Sequence, residues 1–192
     1  HYWSDGQEPQ ILYTSESPVK IHGTSLIGLH ASTEYSIKFI NQELDGPSVE
    51  KEVSVTTGGL SSHLPVLDVD TLTETSGYTL IPLVTPEDGS VKPSLVILDS
   101  AGEYVWYYLL PEHSICTSAE FGLDGSSVLL MSGQTLLRIP LNGEAKEIIN
   151  TPDAHHDFAQ VSETTVAFLQ YEYAEYGGKT IIGDSIVEVD EE

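Results

Sequence analysis

The residues with the most chemical potential are the consecutive histidines His155 and His156 and the carboxylate that follows them, Asp157. An imidazole acts as a nucleophile, a general base or a hydrogen-bond donor near neutral pH, and a neighbouring carboxylate can fix its tautomer. The triplet belongs to one unit of a repeat, and the preceding unit has Ser118-Ala119 at the aligned position. Because the repeat does not itself require imidazoles there, the pair is a candidate for chemistry rather than packing.

The elements around the triplet are short hydrophobic or alternating strands separated by turn residues, and helical periodicity is almost absent. Leu95, Leu136 and Ile186 mark corresponding strands in successive units, at spacings of 41 and 50 residues. A period of this length, with about four strands per unit, is typical of a β-propeller. We therefore predict an all-β protein in which residues 66–192 form the first blades of a propeller.

The region before the repeat has a different organisation. Residues 58–65 begin with a Gly/Ser cluster and are predicted to be a linker. Upstream, the spacing Leu29-x-Ala31-x-Thr33-x-Tyr35 is similar to the tyrosine corner of fibronectin type III sandwiches, where a tyrosine hydroxyl bonds back to the preceding corner. Only 28 residues precede Leu29, which is few for the earlier strands. Residues 1–57 are therefore predicted to form the later part of an Ig-like or fibronectin-III-like sandwich that lacks its first strands.

In a propeller, the loop before the innermost strand of a blade lies at one mouth of the central channel. His155 and His156 follow such a loop, at residues 150–154. Neighbouring strand residues point to opposite faces, so at most one imidazole is expected to face the channel squarely. The other is expected to pack between blades or to bond to backbone, and Asp157 is expected to orient an imidazole. The alternative is a loop that histidine–backbone hydrogen bonds stabilise without any chemistry.

Other candidates for chemistry are few. His113 lies in the loop before the corresponding strand of the preceding unit and could reach the same channel mouth; the alternative is an ordinary surface histidine. The triplet lacks the spacing of helical zinc ligands and no further ligand follows from spacing, so no metal is predicted. Cys116 is the only cysteine, which excludes a disulfide framework. No phosphate-binding glycine motif occurs and Arg138 is the only arginine, so no nucleotide cofactor is expected.

Charge narrows the range of partners. The chain carries 30 acidic against 7 basic residues, a formal net charge of −23. Such a surface repels phosphate backbones and excludes nucleic acid as a partner. The dispersed acids fit a secreted, periplasmic or extracellular setting. No apolar run of about 18 residues is present, so this segment encodes no transmembrane helix.

With these features together, the chain resembles the bacterial-type arylsulfotransferase family, sulfotransferases that use no nucleotide donor. The resemblance lies in the order of parts, a sandwich, a linker and then a propeller, and in two motifs. Residues 94–106 are similar to the family's "hydrophobic strand, Asp-x-x-Gly-x-Val-x-Trp" repeat, and residues 154–158 are similar to its His-His-Asp/Glu segment. The resemblance covers most of residues 63–192.

The resemblance implies transfer of a sulfuryl group from a phenolic sulfate ester to a phenol through a sulfohistidine. His155 or His156 would be a supporting histidine that contacts the sulfuryl group, with Asp157 orienting it. The family's nucleophilic histidine and companion arginine match no residue here, so activity requires the remainder of the chain or a partner subunit, which would also close the propeller. The alternative is a non-catalytic extracellular sandwich-plus-propeller module for binding or assembly.

Overall fold

The structure, a computed structural model, describes residues 1–12, 23–42, 46–69, 76–84, 92–111, 114–143 and 146–190. Within these ranges it contains strands and turns but no helix, which confirms the all-β prediction. The described residues therefore include no helix that could cross a membrane. The chain divides into two compact units, His1–Ser62 and His63–Glu192, which we call the N-terminal and C-terminal units.

The N-terminal unit contains one antiparallel sheet, in the order β1-β2-β3, with β1 at Tyr2–Ser4, β2 at Glu34–Gln42 and β3 at Ser48–Thr56. Tyr35 is 4% exposed, whereas Phe39 is 53% exposed on the same strand. No second sheet covers this one within the described part of the unit. The structure thus supplies one layer, and the sandwich remains a prediction.

Hydrogen bonds to the side-chain hydroxyl groups of Tyr35 and Thr57 stabilise the turn before β2. The Tyr35 hydroxyl accepts a hydrogen bond from the His30 N–H at 3.0 Å. Thr57 donates its hydroxyl to the His30 carbonyl at 2.6 Å and accepts from the Thr33 N–H at 2.9 Å. The bond from the tyrosine to the preceding corner is therefore present, and the residue after β3 is tied to the same turn.

The C-terminal unit contains three successive antiparallel sheets, which we call the first, second and third sheets. Each follows chain order from its first strand to its last. The first sheet consists of β4 (Thr79–Leu83), β5 (Ser94–Leu98) and β6 (Tyr104–Leu109). The second sheet consists of β7 (Cys116–Phe121), β8 (Ser127–Ser132), β9 (Thr135–Pro140) and β10 (Glu147–Ile149). The third sheet consists of β11 (Ala154–Gln160), β12 (Thr165–Tyr176) and β13 (Lys179–Asp190).

The second sheet packs on both faces because side chains alternate along β8. Leu130 belongs to a buried cluster that includes Leu95 of the first sheet. Its neighbour Met131 belongs to a different cluster, which includes Phe158 and Phe168 of the third sheet. The first strands also lie side by side, since β4 contacts β7 and β7 contacts β11. Successive sheets are thus stacked face to face, with their first strands adjacent.

Aspartates stabilise two of the turns between strands, the β5–β6 turn of the first sheet and the β7–β8 turn of the second sheet. Asp99 accepts hydrogen bonds from the Ala101 and Glu103 N–H groups at 2.9 and 3.0 Å. Asp124 accepts from the hydroxyl and the backbone N–H of Ser126, and these hydrogen bonds lower the pKa of its carboxyl. The Asx geometry explains why aspartate opens both turns.

Candidate functional site

The His155-His156-Asp157 triplet forms a β-bulge in β11. Ala154 pairs with Gln170, and the next paired residue of β11, Phe158, pairs with Phe168. Three residues of β11 therefore stand opposite one residue of β12, so that β11 contains two extra residues. A bulge re-aims side chains and bends its strand. The triplet is thus an irregularity in the sheet and not a regular piece of strand.

The bulge explains why the two histidines differ in environment. His156 has a φ of +61°, in the left-handed region that a branched or bulky residue seldom occupies. Its side chain is exposed, whereas the His155 residue is only 8% exposed. The two rings meet edge to face, with centroids 5.0 Å apart and an interplanar angle of 89°.

The bulge also corrects the alignment of the repeat. In the second sheet Ala119 pairs with Leu130, and in the third sheet Phe158 pairs with Phe168. Since Leu130 and Phe168 are equivalent in the repeat, Ala119 corresponds to Phe158 and not to His156. Matching the two stretches without a gap was wrong by two residues. Both first strands have a register shift at this level, with one extra residue in β7 and two in β11, so that the strands cannot be aligned without a gap.

His155 is held by a residue of the neighbouring strand. Its ring is stacked on that of Tyr171, with centroids 3.9 Å apart and an interplanar angle of 21°. Tyr171 pairs across the hairpin with Asp184 of β13. The side chain of His155 therefore lies over β12, between the bulge and the far strand of the sheet.

A carboxylate from β13 completes the surroundings of His155. The Nε2 atom lies 3.1 Å from Oδ1 of Asp184, which is an ion pair when the imidazole is protonated. The distance suits a hydrogen bond, but the alignment does not, so both ring nitrogens are buried without a hydrogen-bond partner in the described structure. A hydrogen bond weakens steeply when the N–H points away from its acceptor, so the short distance alone does not satisfy Nε2.

The two faces of the third sheet have different surroundings. Val166 and Phe168 belong to the buried cluster shared with the second sheet. Because residues alternate along β12, Tyr171 and its partner Asp184 lie on the opposite face, which we call the outer face. His155 is therefore on the outer face of the third sheet, turned away from the second sheet.

The other predicted site residues are placed differently. Asp157 is exposed, and its carboxylate accepts a hydrogen bond from the Phe158 N–H at 3.0 Å. The carboxylate at hydrogen-bond distance from the imidazole is that of Asp184. His113 lies outside the described residues.

Neither a metal centre nor an activated thiol is found in the described part of the chain. No three His, Cys, Asp or Glu side chains there converge as metal ligands would. Cys116 packs against the cluster between the first and second sheets, and burial raises the pKa of its thiol. A raised pKa leaves less thiolate at neutral pH, so this cysteine is a packing residue.

The sequence did not predict that Tyr171 and Asp184 contact His155. Gly177 and Gly178 have φ values of +59° and +75°, which suit a two-residue type I′ turn. A tight turn at these glycines determines every pair of the hairpin, including Tyr171 with Asp184. The Gly-Gly pair could therefore have predicted the pairing of Tyr171 with Asp184. Nothing in the sequence predicted that the His155 side chain extends across β12 to meet them.

No family model, no curated protein and no solved structure matches this chain.

Proposed function

We propose that this chain is part of a nucleotide-independent arylsulfotransferase-like protein, in which His155 supports sulfuryl transfer from a phenolic sulfate ester to a phenol. One observation carries the proposal: a buried imidazole has no hydrogen-bond partner for either nitrogen among the described residues. Leaving a buried polar group unsatisfied costs about 1–3 kcal/mol. Such a group is typical of a site that another molecule or chain segment completes.

The arrangement of sheets supports the fold that this function uses. Three antiparallel sheets stack face to face, and their first strands β4, β7 and β11 are neighbours. Face-to-face stacking of successive antiparallel sheets is what blades around a propeller axis require, and it supports the proposal. We therefore propose that the C-terminal unit supplies propeller blades and that the N-terminal sheet belongs to an Ig-like sandwich.

The chemistry requires donors for the sulfuryl oxygens. An imidazole nitrogen attacks sulfur, the bond from sulfur to the ester oxygen breaks, and its electron pair leaves with the phenolate. In the second step, the acceptor phenol passes its proton to the released phenolate, directly or through water, its oxygen attacks sulfur, and the imidazole leaves. In this proposal the nucleophile comes from another chain segment or a partner subunit. His155 donates an N–H to a sulfuryl oxygen, with His156 beside it.

The remaining assignments follow from the same reaction. Asp157 stabilises the bulge through the Phe158 N–H. His113 stays a weaker candidate for a substrate contact. The proposed reaction uses no nucleotide and no metal, since the nucleophilic imidazole itself accepts the sulfuryl group and passes it to the phenol. A secreted or periplasmic location is part of the proposal and is supported by the net charge of −23.

The test is a transfer assay on the full natural protein with p-nitrophenyl sulfate as donor and a phenol as acceptor. We expect phenol-dependent release of p-nitrophenol. The variant His155→Gln is expected to reduce kcat by about 100-fold, because the glutamine amide does not place a donor at the position of the imidazole nitrogen. His63→Gln is the matched control, because His63 is exposed in the same unit. An inactive parent protein, or a fully active His155→Gln, contradicts the proposal.

A second candidate is a non-catalytic module for binding or assembly. The observation that favours it is the β12–β13 hairpin, whose apolar and aromatic side chains are exposed: Tyr173 62%, Tyr176 76%, Ile182 61% and Ile186 76%. This candidate predicts no transfer activity, together with protection of these residues from oxidative footprinting in the natural assembly. Activity that depends on His155 rules it out as the sole function.

A further inference from the structure

We propose that Asp184 and Tyr171 are positioning residues for His155, so that one rung of the β12–β13 hairpin sets the orientation of an imidazole in β11. The consequence for activity rests on the proposed sulfuryl transfer. The positioning itself is a property of this chain and can be tested without any reaction.

The register of the hairpin brings the two groups together. Tyr171 and Asp184 are direct cross-strand partners, so their side chains project from the same face at the same level. The bulge in β11 places His155 over this rung. Its ring then contacts the tyrosine face at 3.9 Å and approaches the carboxylate at 3.1 Å. Two strands and one bulge are needed for the arrangement.

The two partners restrict different freedoms of the imidazole. Stacking on Tyr171 sets the plane of the ring, since a tilt breaks the face-to-face contact. The carboxylate of Asp184 lies beside Nε2, so a proton on that nitrogen is the one it stabilises. Nδ1 is then the nitrogen that remains for a substrate or another chain segment.

The same placement determines which protonation form of the His155 imidazole can donate a hydrogen bond to a sulfuryl oxygen. Nδ1 can donate to that oxygen while the Nε2 proton faces Asp184 only when both nitrogens carry protons. The titratable groups in contact with the ring, among the described residues, are His156 from the bulge, Tyr171 from β12 and Asp184 from β13.

Asp184 is better placed than Asp157 to orient the His155 imidazole, although the sequence had led us to expect this role for Asp157. The Asp157 carboxylate already accepts the Phe158 N–H in its own bulge. The Asp184 side chain is 61% exposed, so little packing opposes the small rotation that would align an oxygen with Nε2–H.

The first experiment records the ring nitrogens of His155 by NMR in the ¹⁵N-histidine-labelled 192-residue chain. We expect the Nε2 signal of His155 to be that of a protonated nitrogen at pH 7. Asp184→Ala should lower the proton occupancy of Nε2, and Asp184→Asn should restore part of it through its amide oxygen. Glu188→Gln is the matched control, since Glu188 is an exposed acid on the same face of β13.

Substitutions of Tyr171 test the stacking of its ring on His155 in the same NMR experiment. Tyr171→Phe keeps the ring face and should leave the ring-current shift of His155 in place, whereas Tyr171→Leu should abolish it. Circular dichroism checks that each variant folds. If Asp184→Ala does not fold, Asp184→Asn carries the comparison, with an Nε2 occupancy below that of the parent. A His155 spectrum that is the same in the parent and the folded Asp184 variants overturns the proposal.

The second experiment measures transfer by the full natural protein. Asp184→Ala is expected to lower kcat by about 10- to 100-fold, with a smaller change in KM, as for other residues that orient an active group. Unchanged kcat in this variant, when His155→Gln shows its expected loss of kcat, overturns the positioning role. A parent that shows no transfer but has the predicted NMR response overturns the proposed function and leaves the positioning of His155 supported.

Discussion

Trp106 of β6 donates its indole N–H to the backbone carbonyl of Leu141, 3.2 Å away, and so joins the first sheet to the turn that follows β9. A comparable link joins the second and third sheets, where the Leu123 N–H donates to the side-chain oxygen of Gln160 at 2.8 Å. Each pair of neighbouring sheets therefore combines an apolar interface with a directed hydrogen bond. The apolar contact supplies most of the stability, and the bond restricts how one sheet can slide on the next.

Trp106→Phe tests the first of these links. The ring stays apolar but its N–H is lost, which leaves the Leu141 carbonyl without this donor. We expect the free energy of unfolding to fall by about 1 kcal/mol, measured by urea denaturation. Tyr107→Phe, next to it on the more exposed side of the strand, should change it by less than about 0.5 kcal/mol. Equal effects in the two variants would show that the indole bond contributes nothing.

Leu130→Ala tests the interface between the first and second sheets. Leu130 is 0% exposed, and its truncation leaves a cavity in the shared cluster. The expected loss is about 2–5 kcal/mol of unfolding free energy in urea denaturation. The control is Leu123→Ala, because Leu123 is 60% exposed in the neighbouring turn and should be nearly neutral. A loss below about 1 kcal/mol at Leu130 would be inconsistent with close packing of these two sheets.

His156→Gly tests the strain in the bulge. Glycine adopts the φ of +61° without a Cβ penalty, whereas alanine retains that penalty and lacks the imidazole. We expect the glycine variant to be more stable than His156→Ala by about 1 kcal/mol in thermal or urea unfolding. At Ala159, where no positive φ is present, the order of glycine and alanine should reverse. The same order at both positions would argue against the bulge.

Asp124 makes stability depend on pH in the acid range. Hydrogen bonds from Ser126 lower the pKa of its carboxyl from the ordinary value of 3.8. A carboxyl with a lowered folded-state pKa contributes stability above its unfolded-state value and loses it as the pH falls through the folded-state value. The advantage of the parent over Asp124→Asn should therefore be full at pH 6 and shrink below about pH 4, in thermal unfolding at several pH values. A constant difference across this range would exclude a shifted carboxyl.

Tyr35→Phe tests the corner of the N-terminal unit. The variant removes the acceptor of the His30 N–H and keeps the ring. Hydrogen exchange at the His30 amide is expected to accelerate by about fivefold, which corresponds to a bond worth about 1 kcal/mol. The Ser32 amide donates to the Gly58 carbonyl and serves as the internal control. Unaltered exchange at His30 would mean that the corner does not depend on the tyrosine hydroxyl.

Local sequence patterns predicted many of the strands and turns. Short apolar runs bounded by turn residues predicted the strands around Leu95 and Leu136, which lie in β5 and β9. The Asp-x-x-Gly and Asp-Gly patterns predicted the turns that Asp99 and Asp124 stabilise. These features depend on side-chain alternation and on short-range hydrogen bonds, and both act within a few residues of the chain.

The bulge shows where local reasoning stopped. A gapless repeat treated His155 and His156 as ordinary neighbours on a strand, whereas the register contains two extra residues at that point. No local pattern marked the bulge, because its partner residues lie on β12 and are determined only when the strands pair.

The sequence by itself determined an all-β chain, its turns, and a pair of histidines as the candidate for chemistry. Only the tertiary structure decided that His155 is buried, that His156 is exposed, and that Tyr171 and Asp184 surround the buried ring. The physical reason is that alternation assigns a residue to one face of its own strand. The neighbours of that residue are set by the register of two further strands, which local sequence does not encode.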